Sequence, residues 1–445
     1  METDITTYEQ AVEYIENIPR FTGKNDVHDT KEFLRFLSHP ERKLKVIHVA
    51  GTNGKGSVCA YLCSLLKEAG YSVGTFISPH LITMAERIRM NGIPVKREEF
   101  LNTFTKILDA VGRKKQLDES CGRSADYHPA YFEMLFFMAL MIFVEKKPDF
   151  VILETGLGGR LDATNCVEKP LVSVITRIGM DHMQYLGNTL EEIAGEKAGI
   201  LKPGVPVVYD DSVETASRII HAAAKPVGAA CYPVSKKDYT LLNFNNKTID
   251  FSCFSRYYGY VRLCLDTTAF YQLGNAALAL RTAELLLDKD ILTREVIRCG
   301  IHKTRWEGRM EQVADGVWVD GAHNEDGVEA FLYSVARDGC TGERYLIFGA
   351  VQDKAYEAMV RRITDSRLFC RIGAVGMKND RALSQDALRD TFAGSTQEVS
   401  AFPDVSRAYE AFRKKRKAAD RIYAAGSLYL VGELKGYLRM RGSHD

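Results

Sequence analysis

The sequence lacks an excess of charge of either sign, because 59 lysines and arginines stand against 58 aspartates and glutamates. Nucleic-acid-binding proteins carry a basic footprint, so this balance argues against nucleic acid as a partner. The ten cysteines include no C-x-x-C pair and no regular framework. They indicate small core residues or free thiols in a reducing compartment.

The sequence also lacks segments typical of export or membrane insertion. Its N-terminus, METDITTYEQAVEYIENIPR, is acidic and amphipathic and has neither the basic nor the apolar region of a signal peptide. The longest apolar run, 131–144, is interrupted by Glu133 and is too short to cross a bilayer, so it predicts a buried helix. We expect a soluble, cytoplasmic protein without a membrane partner.

A chain of 445 residues exceeds the usual size of one domain, which favours a two-domain enzyme. Strand and helix patterns alternate over 45–209 and predict a doubly wound, mostly parallel α/β sheet. Residues 236–266 predict a small antiparallel section, and a later α/β alternation predicts a smaller, Rossmann-like C-terminal domain. Because both patterns lapse near 298–309, we expect domains at 1–300 and 301–445.

The same patterns predict individual elements. The expected strands begin at 45, 71, 149, 171 and 205 in the first sheet and lie at 317–319, 345–348, 372–375 and 422–425 in the second. Helices are expected at 8–18, 29–38, 58–69, 98–111, 129–147, 189–201 and 272–287. We expect a loop at 78–95 that can fold over a ligand and a polar connector at 113–126.

The most informative stretch is 45–57, KVIHVAGTNGKGS, where an apolar strand pattern leads into a glycine-rich loop and then a helix. Such a loop brings backbone N–H groups and the helix dipole to a phosphate, while Lys55 adds charge and Ser57 can ligate magnesium. The loop residues that could contact a nucleotide are Gly51, Thr52, Asn53, Gly54, Lys55, Gly56 and Ser57. The match to G-x-x-x-x-G-K-[ST] is imperfect, since Gly56 intervenes before the serine. A plain strand-to-helix turn remains the alternative.

Ligands of open α/β sheets collect at the carboxyl ends of the strands. The groups expected there are Ser57, Ser78, Glu154 and the pair Asp181–His182. A carboxylate and two hydroxyls suit magnesium, which prefers oxygen. His182 is less typical and could be a hydrogen-bonded histidine at a strand end, while Glu154 could simply accept backbone N–H groups. Lys197, on the following helix, would by itself usually be a solvated side chain.

Other polar residues are open to two interpretations. The residues Arg160, Asp162 and Asn165 follow glycines and could be ordinary turn residues. In the second half, helix capping explains Asn324, but it explains Asp320 and His323 together less well. Arg309 lies at the domain junction, where it could reach a phosphate or form a salt bridge at the rim.

Taken together, these segments resemble the Mur ligase superfamily and, within it, the folylpolyglutamate synthase and dihydrofolate synthase family. The matching segments are GTNGKGS (51–57), SPHL (78–81), ERI (86–88), NG (91–92), ETGLGGRLDATN (154–165), DH (181–182), EKAGI (196–200), Gln272 with Asn275, WEGRME (306–311), DGAHN (320–324) and AGSLYLVGE (425–433). They span nearly the whole chain in the correct order and spacing. Chance agreement across all of them is negligible.

The resemblance implies roles for several of these residues. Two magnesium ions are implied, one held by Ser57, Ser78 and Glu154 and the other by Glu154, His182 and Lys197 carbamylated by carbon dioxide. Lys55 would bind the ATP phosphates, and Asn275, Arg309 and Asp320 would contact the nucleotide. The glutamate would lie at His323 and Ser427, and the pterin would lie between the loop that contains Ser78, Pro79 and His80 and the residues Tyr131 and Phe132.

The resemblance thus implies a monomeric ATP-dependent ligase that adds L-glutamate to the terminal carboxylate of a folate through an acyl phosphate. Action on dihydropteroate, as a dihydrofolate synthase, stays open. A peptidoglycan Mur ligase is disfavoured by GKGS followed by SPHL, and a non-catalytic P-loop protein by the segments of the second half. Departures from the family are Tyr271 in place of a common histidine, Glu307 in place of a common proline, and Ala85.

Overall fold

The apolar run at 46–50 forms an inner strand of an eight-stranded sheet in the computed structural model, which describes residues 5–18, 25–124 and 126–442. Six strands are parallel, and two short antiparallel strands close one edge, in the order β4-β3-β2-β5-β1-β6-β7-β8. The strands are β1 (Val46–Ala50), β2 (Val73–Phe76), β3 (Ile88–Met90), β4 (Ile93–Pro94), β5 (Phe150–Glu154), β6 (Val172–Ile175), β7 (Val207–Asp210) and β8 (Cys231–Val234).

Two smaller sheets complete the fold. A three-stranded antiparallel sheet consists of β9 (Tyr239–Phe244), β10 (Ile249–Ser255) and β11 (Gly259–Leu265). A six-stranded sheet, in the order β12-β13-β17-β14-β15-β16, consists of β12 (Glu311–Ala314), β13 (Val317–Val319), β14 (Arg344–Phe348), β15 (Arg371–Val375), β16 (Glu398–Phe402) and β17 (Arg421–Ala425). Only β12 is antiparallel to its neighbour in this last sheet.

Helices cover the sheets. Those associated with the first two sheets are α1 (Tyr8–Glu16), α2 (Val27–Phe36), α3 (Lys55–Glu68), α4 (Arg97–Ser120), α5 (Tyr131–Lys146), α6 (Met183–Leu186), α7 (Leu190–Ala198), α8 (Glu214–Ala224), α9 (Gln272–Leu286) and α10 (Arg294–Lys303). Those of the last sheet are α11 (Glu325–Val335), α12 (Tyr356–Ser366), α13 (Gln385–Thr391), α14 (Val405–Lys415) and α15 (Leu428–Gly442). Within these described residues, no helix is both long and apolar enough to cross a membrane.

Strand β1 is buried on both faces, which explains why four of its five residues are apolar. Ile47 and Val49 pack with α3 and α9 on one side, whereas Val46 packs with α5 on the other. Helix α5 is apolar on nearly all sides because it lies inside the core that also contains Val46. The sandwich of helices on both faces of a parallel sheet confirms the predicted α/β class.

Most predicted elements are confirmed, including the capping box that starts α7, but four predictions are wrong. The segment 78–95 is not simply a loop, because it contains the β3–β4 hairpin. The expected connector at 113–126 is helical up to Ser120, and the expected lapse at 298–309 contains the end of α10. Helix α2 begins at Val27 rather than at 29, and Asp26 is its cap. Strands β8, β12 and β16 were not predicted.

A titratable residue is buried inside the large sheet. His48 on β1 is fully buried, and its Nε2 lies 2.8 Å from the hydroxyl of Thr164, which donates to Asp162 at 2.6 Å. The imidazole therefore donates from Nε2, and it is neutral. Burial, reinforced by the positive charge of Lys202, lowers the pKa of His48 to about 3. Because the unfolded chain takes up this proton near pH 6.5, acid destabilises the fold through this residue.

We expect His48→Gln to weaken this acid sensitivity, since a glutamine amide can donate to Thr164 but does not titrate. The wild type should lose about 2 kcal/mol more of its free energy of unfolding than the variant does between pH 7 and pH 5. Urea unfolding at the two pH values measures this difference. The same pH dependence in both proteins would contradict a neutral, buried His48.

Candidate active site

The loop between β1 and α3 adopts a backbone that requires glycine. Gly51 and Gly54 have φ values of 146° and 95°. A Cβ on Gly51 would lie 1.9 Å from the hydroxyl oxygen of Thr176, and one on Gly54 would lie 2.3 Å from the amide oxygen of Asn275. The Thr176 hydroxyl is buried and has no hydrogen-bond partner among the described residues.

Two lysines converge on this loop. Lys55 Nζ donates to the carbonyl oxygens of Gly51 and Thr52 at 3.1 and 3.3 Å, and Lys197 Nζ donates to the same Gly51 oxygen at 2.8 Å. Burial, followed by the positive charge of Lys55, lowers the pKa of Lys197 to about 7. A substantial share of Lys197 is therefore a neutral, nucleophilic amine at neutral pH.

The predicted oxygen ligands lie on both sides of Lys55. Glu154 ends β5, is buried, and accepts a hydrogen bond of 2.9 Å from the backbone N–H of Ser78. Burial raises the pKa of Glu154, opposed by the positive charges of Lys55 and Arg309. Ser57, in the first turn of α3, accepts a hydrogen bond from the side chain of Gln272 at 3.1 Å.

A metal site made of side chains alone is absent from the parts of the chain that the structure describes, where no three His, Cys, Asp or Glu side chains cluster suitably. Magnesium differs from zinc in this respect, since it is usually held by one or two carboxylates together with substrate phosphates and water. A buried carboxylate, Glu154, beside serine hydroxyls and a phosphate-binding loop fits that donor set.

A buried cluster joins the eight-stranded sheet to the six-stranded sheet. Asp181 accepts hydrogen bonds from Lys354 Nζ and, at 3.2 Å, from the side chain of Asn324. Lys354 Nζ also lies 3.0 Å from His182 Nε2, and His323 Nε2 lies 3.8 Å from Asp181. Burial opposes the charge on Asp181, but the neighbouring Lys354 outweighs it and holds the pKa of Asp181 below its usual range.

Both histidines of this cluster are neutral. Burial lowers the pKa of His182 and of His323 to about 4, and the positive charge of Lys354 adds to the effect. His323 donates from Nδ1 to the carbonyl of Gly321 at 2.7 Å, so its Nε2 is the acceptor nitrogen. His182 has a φ of 50°, a conformation that few non-glycine residues adopt and one that often occurs at functional sites.

A cleft of about 270 Å³ lies between the eight-stranded sheet and the six-stranded sheet. Its apolar part includes Tyr131, Phe132 and Leu161, and its polar part includes His182, His323 and Lys354. The predicted substrate residues that line it are Ser78, Pro79, Tyr131, Phe132, His323 and Ser427. His80 does not line this cleft, and its Nδ1 accepts a hydrogen bond from Arg87, which does.

The predicted nucleotide residues form a second group beside the loop. Asn275 contacts Gly54 as described and donates to Gln272 at 2.9 Å. Asp320 is buried and accepts three hydrogen bonds, from Tyr271 Oη at 2.6 Å and from the N–H groups of Met310 and Ala322 at 2.9 Å each. Tyr271, which stands in place of the histidine common in the family, therefore links the start of α9 to the six-stranded sheet.

The cleft residues missed by the sequence prediction include Lys354, Arg381 and Tyr429. These three follow β14, β15 and β17, at the carboxyl edge of the second sheet. The strand-end rule had located Ser57, Ser78 and Glu154 in the first sheet. Applied to the second sheet, the same rule would have found them.

Residues 49–282 match the Mur ligase middle domain, and residues 308–428 match the glutamate ligase domain of Mur ligases. The chain is 37% identical to the dihydrofolate synthase/folylpolyglutamate synthase of Bacillus subtilis, over 98% of this chain and 100% of that protein. It is 29% identical to the folylpolyglutamate synthase of Lacticaseibacillus casei, over 80% of this chain and 83% of that protein.

Solved structures agree with these relatives. The complex of E. coli FolC with DHPP and ADP superposes with a TM-score of 0.86 at 27% identity, covering 98% of this chain and 99% of that chain. Folylpolyglutamate synthase from Thermotoga maritima superposes with a TM-score of 0.82 at 29% identity, covering 98% and 97%. The chain belongs to the folylpolyglutamate synthase and dihydrofolate synthase family of the Mur ligases.

We expect Lys354→Met to raise the pKa of His182 and His323 above about 4, because the substitution removes a cation that opposes their protonation and leaves Asp181 to favour it. Histidine ring signals followed by NMR during a pH titration report both values. Lys414→Met, an exposed position on α14, is the control and should leave them unchanged. Unchanged histidines in Lys354→Met would contradict the electrostatic role of Lys354.

Proposed function

We propose that this protein is an ATP-dependent ligase that forms an amide between the terminal carboxylate of a folate and the amine of L-glutamate. The observation that supports this most is a cleft lined by aromatic residues and His182 of the first domain and by Lys354, Arg381 and His323 of the second. The apolar ring of the acceptor requires aromatic surroundings, and its reacting carboxylate requires nearby cations. The incoming amino acid requires an uncharged histidine. Residues 1–300 would bind ATP and the acceptor, and residues 301–445 would supply the glutamate side.

In the proposed reaction, the acceptor carboxylate attacks the γ-phosphate of ATP, and ADP leaves. The resulting acyl phosphate is attacked by the glutamate amine, and phosphate leaves from the tetrahedral intermediate. Lys55 and the N–H groups of the glycine loop stabilise the charge on the transferring group. The positive charge of Arg309 already acts on Glu154. From the second domain, Arg309 would also approach the transferring phosphoryl group.

The cofactors fit the same residues. Ser57, Ser78 and Glu154 would hold one magnesium ion, and Glu154, His182 and a carbamylated Lys197 would hold another; bound magnesium would neutralise phosphate charge. The buried amine of Lys197, whose pKa burial lowers to about 7, is suited to react with carbon dioxide. The carbamate would replace a cation by an anionic oxygen. His182 would have to exchange its contact with Lys354 for the metal.

The second domain would bind glutamate. His323 presents a neutral acceptor nitrogen, which can take the proton that the attacking amine loses. Lys354 and Arg381 line the same cleft and can pair with the carboxylates of an amino acid, while Ser427 offers a hydroxyl. Tyr131 and Phe132 would hold the pterin ring against Pro79.

Dihydrofolate synthase activity is a second candidate, with dihydropteroate as the acceptor. The Bacillus subtilis relative bears both names, and the E. coli relative was solved with DHPP. The aromatic part of the cleft does not distinguish the two acceptors, since they share the pterin ring and differ in the length of chain that carries the carboxylate.

The deciding measurement is ADP release by purified protein with glutamate and either tetrahydrofolate or dihydropteroate. We expect ADP to form only when ATP, glutamate and a pteroyl acceptor are all present. Turnover with one acceptor or both would assign the activity. ADP release that ignores glutamate and acceptor would contradict a ligase and favour a simple nucleotide hydrolase.

We expect Lys197→Ala to abolish turnover, because the variant cannot form the carbamate. In ¹³C-bicarbonate, the wild type should show a carbamate signal by ¹³C NMR that the variant lacks. Lys225→Ala, at an exposed position after α8, is the control for both measurements. Near-normal turnover in Lys197→Ala, or the same ¹³C spectrum in both proteins, would refute the carbamate.

A further inference from the structure

A second cavity, of about 310 Å³, lies on the outer side of α3 and shares no residue with the cleft. It is enclosed by α3, by the β2–β3 edge of the large sheet and by the segment 303–306 that follows α10. We call it the α3 pocket. No residue with a proposed role in the ligase reaction lines this pocket. The ligase reaction therefore does not account for the side chains found there.

The α3 pocket is cationic. Four of its lining side chains are Lys67, Arg89, Lys303 and Arg305, and no acidic side chain lines it. Lys303 pairs with Glu68, and Arg305 pairs with Asp266. These pairs leave an excess of two positive charges in a concave site, where low-dielectric walls strengthen the field.

The remaining two cations have donors to spare. Lys67 donates to the carbonyl of Asn91 at 2.8 Å, and Arg89 donates from Nε to the carbonyl of Glu86 at 2.9 Å. Neither forms an ion pair with any residue that the structure describes. Both terminal nitrogens of the Arg89 guanidinium lack a hydrogen bond within the same residues. A guanidinium and an ammonium so placed suit carboxylate or phosphate oxygens.

Trp306 connects the α3 pocket to the phosphate-binding loop. The Arg89 guanidinium lies over its indole, 5.5 Å from the ring centroid. On its other side, the indole touches the loop so closely that a Cβ on Gly56 would lie 2.5 Å from Cζ2. Trp306 therefore contacts both the α3 pocket and the phosphate-binding loop.

We propose that the α3 pocket is a second anion-binding site, for a small molecule with two or more carboxylate or phosphate groups, and that its occupancy is linked to nucleotide binding through Trp306. Condensed phosphates and γ-linked oligoglutamates share this chemistry. The site would sense one of them without taking part in amide formation.

The test uses the fact that the chain has only two tryptophans. In Trp318→Phe, fluorescence reports Trp306 alone, and the variant is titrated with tripolyphosphate and with γ-linked triglutamate, with and without saturating ADP. We expect a saturable change that persists with ADP for at least one of the two anions. The anion that produces it identifies the source.

The double variant Lys67→Gln/Arg89→Gln should weaken this binding about tenfold or more, as expected for lost hydrogen bonds to charged groups. Lys236→Gln, an exposed position between β8 and β9, should not. Calorimetry on the wild type, the double variant and the control gives the same comparison without Trp318→Phe. No saturable binding, binding that ADP abolishes, or equal affinity in the double variant would overturn the site.

Linkage is tested by calorimetric ADP titrations with and without saturating anion. We expect the ADP affinity of the wild type to change about fivefold or more, and that of the double variant to stay constant. An unchanged wild-type affinity would overturn the linkage. Because anion binding is measured directly and without turnover, its failure is distinct from a failure of the ligase assay.

Discussion

The buried contact between Asp181 and Lys354 is the interaction on which the site depends. Asp181 belongs to the loop after β6 and Lys354 to the loop after β14, so the pair ties the carboxyl edge of one sheet to that of the other. Removing one partner of such a pair leaves an uncompensated buried charge and typically costs about 3–5 kcal/mol. The two edges therefore face each other and enclose a cleft.

The cleft concentrates cations and keeps its histidines neutral. Lys354 lines the cleft, and Lys55 and Lys197 lie close enough to His182 for their positive charges to act on it. The same charges and the same burial suppress protonation of His182 and His323 and leave the Lys197 amine partly neutral. One electrostatic arrangement thus favours anionic substrates and provides uncharged bases and a nucleophile beside them.

Elements with a strong local signal were predictable. Strands β1 and β5 are buried throughout and mostly apolar, each with one polar residue, His48 and Glu154, and α7 has a capping box. Elements supported by distant contacts were not. Strands β3 and β4 are only three and two residues long; β3 depends on pairing with β2, and β4 on pairing with β3. Helix α4 continues through a polar stretch because Lys114 and Asp118, one turn apart, form a buried ion pair.

The sequence by itself determined the class of fold, the phosphate loop, and the strand-end positions of Ser57, Ser78 and Glu154, because these follow from local periodicity and from glycine and strand-end rules. Only the tertiary structure decided which groups meet across the domain junction. Lys354 lies 173 residues from Asp181 in the chain, Tyr271 lies 49 from Asp320, and Trp306 reaches Gly56 from the far end of α10. Such contacts depend on how the sheets pack, and no local pattern encodes them.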